Sequence, residues 1–120
     1  MAVFSIWESR FPPKHIRRGR EVTDAIWQDM PNYSGYLRHV VIEDLDDPGH
    51  LFVVSEWESR EAADNVLVEY ASSPNARLAN ELVAEPRRRT VGRRLERGKL
   101  RVFCVDRLRL RLGDLYEALT

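Results

Sequence analysis

The chain has one cysteine, Cys104, and no grouping of cysteine and histidine residues with the spacing of metal ligands. An internal disulfide is therefore excluded, and no structural zinc site is predicted. The six glycines are scattered along the chain. The sequence therefore contains no glycine-rich loop of the kind that binds nucleotide phosphates, and it does not predict a flavin or nicotinamide site.

No apolar run approaches the ~18 residues that a membrane-spanning helix needs. The N-terminus also lacks the basic, apolar and small-residue segments of a secretion signal. A lone cysteine is compatible with a reducing compartment. We therefore expect a cytoplasmic protein without a membrane partner. The formal net charge of 0 and the hydrophobic fraction of 43% are typical of a soluble globular domain.

Acidic residues are scarce in the C-terminal part of the chain. Residues 87–111 contain eleven lysine or arginine residues and only two acidic ones, and the basic residues include the cluster Arg87, Arg88 and Arg89. Basic clusters supply non-specific affinity for nucleic acids. Because aromatic residues do not interleave with this cluster, it predicts a solvated edge strand that is protected by charge, and not a nucleic-acid-binding surface.

The clearest local pattern is at residues 51–67, LFVVSEWESREAADNVL, where an apolar strand runs directly into a helix. Ser59 lies at the position of an N-cap, and Glu61 lies in the first helical turn, where the helix dipole favours a negative charge. The four letters WESR occur both at residues 57–60 and at residues 7–10, each time before a helical segment. The chain is therefore predicted to contain one strand–helix unit twice.

The order of the predicted elements indicates the fold class. Turn-forming residues separate the elements at residues 31–35 and 46–49. The resulting order, βαββαβ, predicts an α+β domain of the ferredoxin-like type with a four-stranded antiparallel sheet. The predicted strands are residues 2–8, 36–44, 50–57 and 87–95, and the predicted helices are residues 14–30, 59–70 and 74–84.

The predicted domain comprises residues 1–95, and residues 96–120 form a C-terminal extension. Within the extension, residues 100–112 contain an apolar run and then a strict alternation of arginine and leucine, which predicts a strand. Residues 113–119 are compatible with a short helix. The sequence does not decide whether the extension adds a strand to a partner's sheet or is poorly ordered.

Strands two and three carry large apolar residues on both faces, although the helices can cover only one face of the sheet. A second copy of the sheet is the simplest cover for the other face. We therefore predict a homodimer in which the two sheets pack face to face. Simple alternation assigns one face to Tyr36, Val40, Ile42, Val53 and Trp57, and the other to Leu37, Val41, Phe52 and Val54.

Three segments resemble a known family. They are the turn at residues 31–36 (PNYSGY), the end of strand three at residues 55–63 (SEWESREAA), and the helix break between Tyr70 and Pro74. With them, residues 2–95 resemble the antibiotic biosynthesis monooxygenase domain, a branch of the dimeric α+β barrel proteins. The resemblance implies a cofactor-independent monooxygenase or quinol oxidase for aromatic or quinone-like substrates, and it implies no cofactor and no metal.

His39 is the predicted catalytic residue. It lies in the middle of a strand, and its side chain is the one suited to proton transfer near neutral pH. Its strand neighbours Leu37 and Val41 place it on the predicted helix-covered side, and the alternative is an ordinary, partly exposed histidine. His15 and His50, near the starts of elements, are expected to be solvated.

Aromatic and amide side chains near the ends of elements are the candidates for substrate binding, because they offer stacking surface and hydrogen bonds. Each has an alternative role in the core, in the dimer contact, or in a turn or cap. For Trp57 that alternative is packing at the joint between strand and helix. The candidates are Trp27, Tyr33, Tyr36, Trp57, Tyr70 and Asn80.

Two other functions remain open on the same scaffold, because one fold hosts unrelated functions. One is a non-catalytic dimeric module that binds a small ligand, and the other is a stress-related or regulatory protein. The haem-degrading branch of the family uses an asparagine in the first strand together with a later tryptophan and histidine. The first strand here contains no asparagine and no histidine follows His50, so haem degradation is not predicted.

Overall fold

The computed structural model describes residues 1–95, so the predicted extension at residues 96–120 lies outside the described residues, together with its predicted strand and short helix. The order of elements confirms the prediction. The helices are α1 (Ile16–Asp29), α2 (Arg60–Tyr70) and α3 (Pro74–Leu82), and short 3₁₀ turns lie at Pro13–His15 and Met30–Asn32. The strands are β1 (Val3–Arg10), β2 (Tyr36–Glu43), β3 (His50–Trp57) and β4 (Arg88–Gly92).

The four strands form one sheet in the order β2-β3-β1-β4, and all neighbours are antiparallel. β1 and β3 therefore occupy the centre of the sheet, although some forty residues separate them along the chain. The helices cover one face, as the ferredoxin-like prediction requires. The opposite face is not covered by any element among residues 1–95. None of the helices described is both long and apolar enough to span a membrane.

Serine side chains fix the starts of α2 and α3. The Ser59 hydroxyl accepts a hydrogen bond from the backbone N–H of Ala62 at 3.1 Å, and the Ser73 hydroxyl accepts one from Ala76 at 3.1 Å. Each contact satisfies an N–H group that the first helical turn leaves without a partner. Pro74 follows Ser73 at the first helical position, where its missing N–H costs nothing.

One glycine of α1 allows a close packing contact that the sequence does not indicate. Phe11 is buried (5% exposed), and its ring lies against Gly19. A Cβ atom at position 19 would lie 2.5 Å from the ring, which is far inside van der Waals contact. The glycine that lowers the helix propensity of this segment is therefore required by the aromatic ring that packs on it.

The two faces of β2 differ from the predicted assignment. Val40 pairs with Val54, and Val41 pairs with Val53, so Val40 and Ile42 lie on the uncovered face and Val41 lies on the helix-covered face. The cause is an irregularity in the register between Tyr36 and Arg38. Because an extra residue in one strand moves every later side chain to the opposite face, simple alternation wrongly groups Val40 and Ile42 with Tyr36, Val53 and Trp57, and Val41 with Phe52 and Val54.

His50 is buried (6% exposed), so the prediction that it is solvated was wrong. Its ring lies between two carboxylates, with Nε2 at 2.6 Å from Glu8 Oε2 and Nδ1 at 2.9 Å from Asp44 Oδ2. Burial alone would lower the pKa of His50, but the hydrogen bonds to Asp44 and Glu8 outweigh it and raise the pKa above its usual range. The hydrogen bond from His50 is the main cause that lowers the pKa of Asp44.

The raised pKa of His50 predicts that the stability of the fold depends on pH. Because folding raises the pKa of His50, its protonated form stabilises the fold fully below about pH 6.5, the pKa of an unperturbed histidine. This contribution is lost as the pH rises through the pKa of His50 in the folded protein. His50→Gln should lower the free energy of unfolding by about 2 kcal/mol at pH 6. The difference between the two proteins should shrink towards pH 9 in urea unfolding curves. His15→Gln is the control, and an equal pH dependence in the wild type and His50→Gln would contradict the prediction.

Candidate functional site

A cavity of about 670 Å³ lies between the sheet and the helices. Its buried floor is formed by apolar and aromatic side chains, and its exposed rim is formed by the end of α2, by α3 and by the connection between α3 and β4. A volume of this size is in the range of small-molecule binding sites. The floor includes Ile26, Trp27, Met30, Trp57, Val66 and Tyr70, and the rim includes Leu67, Ala71, Asn80, Glu85 and Pro86.

Four of the candidates for substrate binding line this cavity, namely Trp27, Trp57, Tyr70 and Asn80. The other two lie behind its wall. Tyr36 contacts Trp57 edge-on, with ring centroids 5.6 Å apart, and Tyr33 contacts Tyr70 edge-on at 6.0 Å. The structure therefore brings the aromatic candidates together in two layers, of which only the inner one reaches the cavity.

His39 lies on the helix-covered face of β2, opposite Ser55. Its Nδ1 atom is 2.6 Å from the Tyr36 hydroxyl, and its ring centroid is 5.4 Å from that of Trp27. His39 does not belong to the residues that line the cavity. It contacts Trp27, which lines the cavity, and Tyr36, which lies behind the wall.

Arg87 is a cavity residue that the sequence pattern did not distinguish from the arginines beside it. Its guanidinium carbon lies 4.9 Å from the centre of the Trp7 ring, and its Nε donates a hydrogen bond to Asn80 Oδ1 at 3.0 Å. Burial lowers the pKa of Arg87, but an arginine remains charged near neutral pH. Within residues 1–95, Arg87 forms no ion pair with a carboxylate.

Two other charged residues near the cavity, Arg89 and Glu85, already have ionic partners. Arg89 pairs with Asp64 at 2.9 Å, and the hydrogen bond from Arg89 is the main cause that lowers the pKa of Asp64. Glu85 at the rim pairs with Arg10 at 3.4 Å. Arg87 thus differs from Arg89 in presenting a cation to the cavity without an ionic partner among the described residues. An anionic group of a ligand would supply that partner.

Tyr70 is hydrogen-bonded to a carboxylate. Its hydroxyl donates to Asp29 Oδ2 at 2.6 Å, and Asp29 is the last residue of α1. Burial and this hydrogen bond raise the pKa of Tyr70, while the side chains of Ser73 and Asn75 partly oppose the rise. Sequence reasoning selected Tyr70 for its aromatic ring but had no means of assigning it a partner forty-one residues away.

One set of side chains among residues 1–95 has potential metal-binding geometry, and it lies away from the cavity. One potential ligand atom from each of Asp44, Asp47 and His50 lies within 4.8 Å of the other two. Arg10 already forms an ion pair with Asp47, and both ring nitrogens of His50 already contact carboxylates. These groups therefore satisfy one another, and the cavity itself presents aromatic, amide and cationic groups.

Comparison with known proteins places the chain among proteins of this fold. Residues 2–67 match the family model for antibiotic biosynthesis monooxygenases. No curated protein matches the chain. The solved structure of SnoaB, a cofactor-independent oxygenase from Streptomyces nogalater, is similar with a TM-score of 0.67 and 13% identity, over 79% of this chain and 93% of that one. Rv0793 from Mycobacterium tuberculosis is similar with a TM-score of 0.66 and 24% identity, over 82% and 99%.

Proposed function

The chain belongs to the antibiotic biosynthesis monooxygenase family. We therefore propose that it is a cofactor-independent monooxygenase or quinol oxidase for aromatic or quinone-like small molecules. The observation that carries the proposal is the 670 Å³ cavity with an aromatic wall and one guanidinium, that of Arg87, without an ionic partner among residues 1–95. This combination suits an aromatic substrate that becomes an anion.

The proposed chemistry needs only the substrate and molecular oxygen. Removal of a proton from an anthrone or a hydroquinone gives an anion that can transfer electrons to oxygen directly. In the monooxygenase reaction a CH₂ group and O₂ give a carbonyl group and water. In the quinol oxidase reaction a hydroquinone and O₂ give a quinone and hydrogen peroxide. The protein then has to bind the ring, exclude water and stabilise the anion.

The cavity residues can be assigned to these tasks. We assign contact with the substrate ring to Trp27, and Trp57 forms the packed floor beneath the site. Asn80 and Arg87 are assigned to hydrogen bonding of a substrate oxygen. A guanidinium beside a bound hydroxyl or enol favours the ionised form of that group. Because Asn80 accepts a hydrogen bond from Arg87 Nε, the amide also fixes the orientation of the guanidinium towards its ligand.

The residues behind the wall are assigned supporting roles. Tyr33 and Tyr36 pack edge-on against the inner aromatic residues Tyr70 and Trp57. Such contacts restrict the rings of the inner layer. His39 is hydrogen-bonded to the Tyr36 hydroxyl, and its ring packs at a tilt against Trp27. We therefore propose that it supports the wall, and proton transfer by His39 is the alternative that its variant tests.

The test is oxygen uptake with a panel of anthrones and naphthohydroquinones, without added metal or flavin. We expect the wild type to exceed the uncatalysed rate. Arg87→Met should lose about tenfold in rate, because it removes the charge that stabilises the anion while keeping much of the side-chain volume. Arg88→Met, an exposed neighbour, is the matched control and should retain the wild-type rate.

Two results would change the assignment. A large loss of oxygen uptake in His39→Ala, with the fold intact, would assign proton transfer to His39. A non-catalytic binding module is the second candidate function, and the position of His39 outside the cavity lining favours it. Tight binding of hydroxyaromatic compounds without any uptake above background would support that module and overturn the oxygenase.

A further inference from the structure

The proposed reaction requires a base, and the cavity offers few candidates. Among the residues described, its lining contains no histidine, and its one carboxylate, Glu85, lies on the exposed rim in an ion pair with Arg10. Tyr70 is the one buried lining residue with a hydroxyl that contacts a carboxylate.

The hydrogen bond has a defined direction. An ionised carboxylate can only accept, so the Tyr70 hydroxyl donates its proton to Asp29, at an O···O distance of 2.6 Å. The Tyr70 oxygen has two lone pairs that can accept a second proton, and a substrate has to compete for them with the side chains of Ser73 and Asn75, which also interact with this oxygen. Asp29 lies at the C-terminal end of α1 and is only half-buried, so its carboxyl group can exchange protons with water.

We propose that Tyr70 and Asp29 form the route by which the substrate's proton leaves the cavity, an inference that rests on the proposed oxygenase reaction for its biological purpose. The acidic C–H or O–H bond of the substrate breaks, and its proton bonds to the Tyr70 oxygen. The original Tyr70 O–H bond breaks as that proton bonds to Asp29 Oδ2. The products are a substrate anion, a neutral tyrosine and a neutral carboxylic acid, and no electron is transferred in this step.

The surroundings of Tyr70 explain why Asp29 does not take the tyrosine proton before the substrate gives up its own. Burial, together with the Asp29 carboxylate, raises the pKa of Tyr70 and disfavours a tyrosinate. The two transfers are therefore coupled, and the negative charge moves from Asp29 to the substrate, where Arg87 can stabilise it. Tyr70 touches the substrate in this scheme, and Asp29 acts through Tyr70 as a positioning residue and final proton acceptor.

The experiment isolates proton removal from the oxidation. Anthrone is incubated with the protein in D₂O without oxygen, and deuterium incorporation at its acidic CH₂ group is followed by proton NMR. We expect the wild type to accelerate exchange and Asp29→Asn to lose about 100-fold of that acceleration, as is usual when a general base is removed. The dissociation constant of anthrone, measured by quenching of tryptophan fluorescence, should remain unchanged.

Further variants separate proton transfer from a structural role. Tyr70→Phe should lose as much exchange as Asp29→Asn, and the double variant should lose no more than either, because both act in one step. Asp29→Glu should recover part of the rate. Asp24→Asn on the same helix is the control, since Asp24 is exposed and contacts Gln28.

The outcomes distinguish this inference from the proposed function. Exchange by the wild type without oxygen uptake would retain the proton route and overturn the oxygenase. Oxygen uptake with equal exchange in the wild type, Asp29→Asn and Tyr70→Phe would retain the oxygenase and overturn the route. Absence of accelerated exchange in the wild type would also overturn the route.

Discussion

Replacement of Trp57 by alanine is expected to lower the free energy of unfolding by about 3–5 kcal/mol, the usual cost of removing a buried aromatic side chain. Trp57 is only 1% exposed. Its Nε1 donates a hydrogen bond to Ser55 Oγ at 3.0 Å, and that hydroxyl donates in turn to the backbone carbonyl of Ser5 at 3.2 Å. The side chain thus links the two central strands as well as filling the core.

Urea unfolding followed by circular dichroism measures this change, with both proteins at one protomer concentration so that any dimerisation affects them equally. Trp57→Phe is the matched comparison. It keeps an aromatic ring but lacks the N–H donor, so it should cost about 1–2 kcal/mol. If Trp57→Ala lowered the free energy of unfolding by less than about 1 kcal/mol, with the same slope of that free energy against urea concentration, the tryptophan would not support the core.

Val40→Asp is expected to weaken self-association about 1000-fold or more, provided that the proposed homodimer uses the uncovered face of the sheet. Val40 is 51% exposed in the single chain, so the variant should still fold. In a twofold dimer the substitution occurs twice, and each carboxylate would be buried without a partner, at several kcal/mol apiece. The apolar residues of this face are Phe4, Ile6, Val40, Ile42, Phe52 and Val54.

Sedimentation velocity over a range of concentrations gives the dissociation constants. Val68→Asp is the matched control, because Val68 is 76% exposed and lies on α2, away from the uncovered face. It should associate like the wild type. A wild type that is monomeric at all concentrations would overturn the proposed dimer, and an unaffected dimer in Val40→Asp would place the interface on another surface.

Much of the fold could be predicted because its signals are local in the sequence. The cap at Ser59 and the helix break between Tyr70 and Pro74 each depend on a few neighbouring residues. The structure confirms the Ser59 cap and the element order. The same local reasoning failed on β2, because one irregularity at its start changes which face the later residues occupy.

Part of the candidate site could be predicted for a similar reason. Large or polar side chains near the ends of elements are the sequence candidates, and the fold brings four of them to one cavity, namely Trp27, Trp57, Tyr70 and Asn80. The same criterion also selected Tyr33 and Tyr36, which lie one layer behind. Residue type and element position do not specify depth, so the sequence cannot separate the inner aromatic layer from the outer one.

By itself, the sequence determined the element order, the fold class and the family resemblance, since periodicity, caps and short motifs are properties of neighbouring residues. Only the tertiary structure decided which charged groups find partners. His50 is held by Glu8, Tyr70 by Asp29, and Arg87 faces the cavity beside Trp7. These contacts join residues forty or more positions apart, and their energies depend on burial and distance, which the chain acquires only when the sheet and the helices pack together.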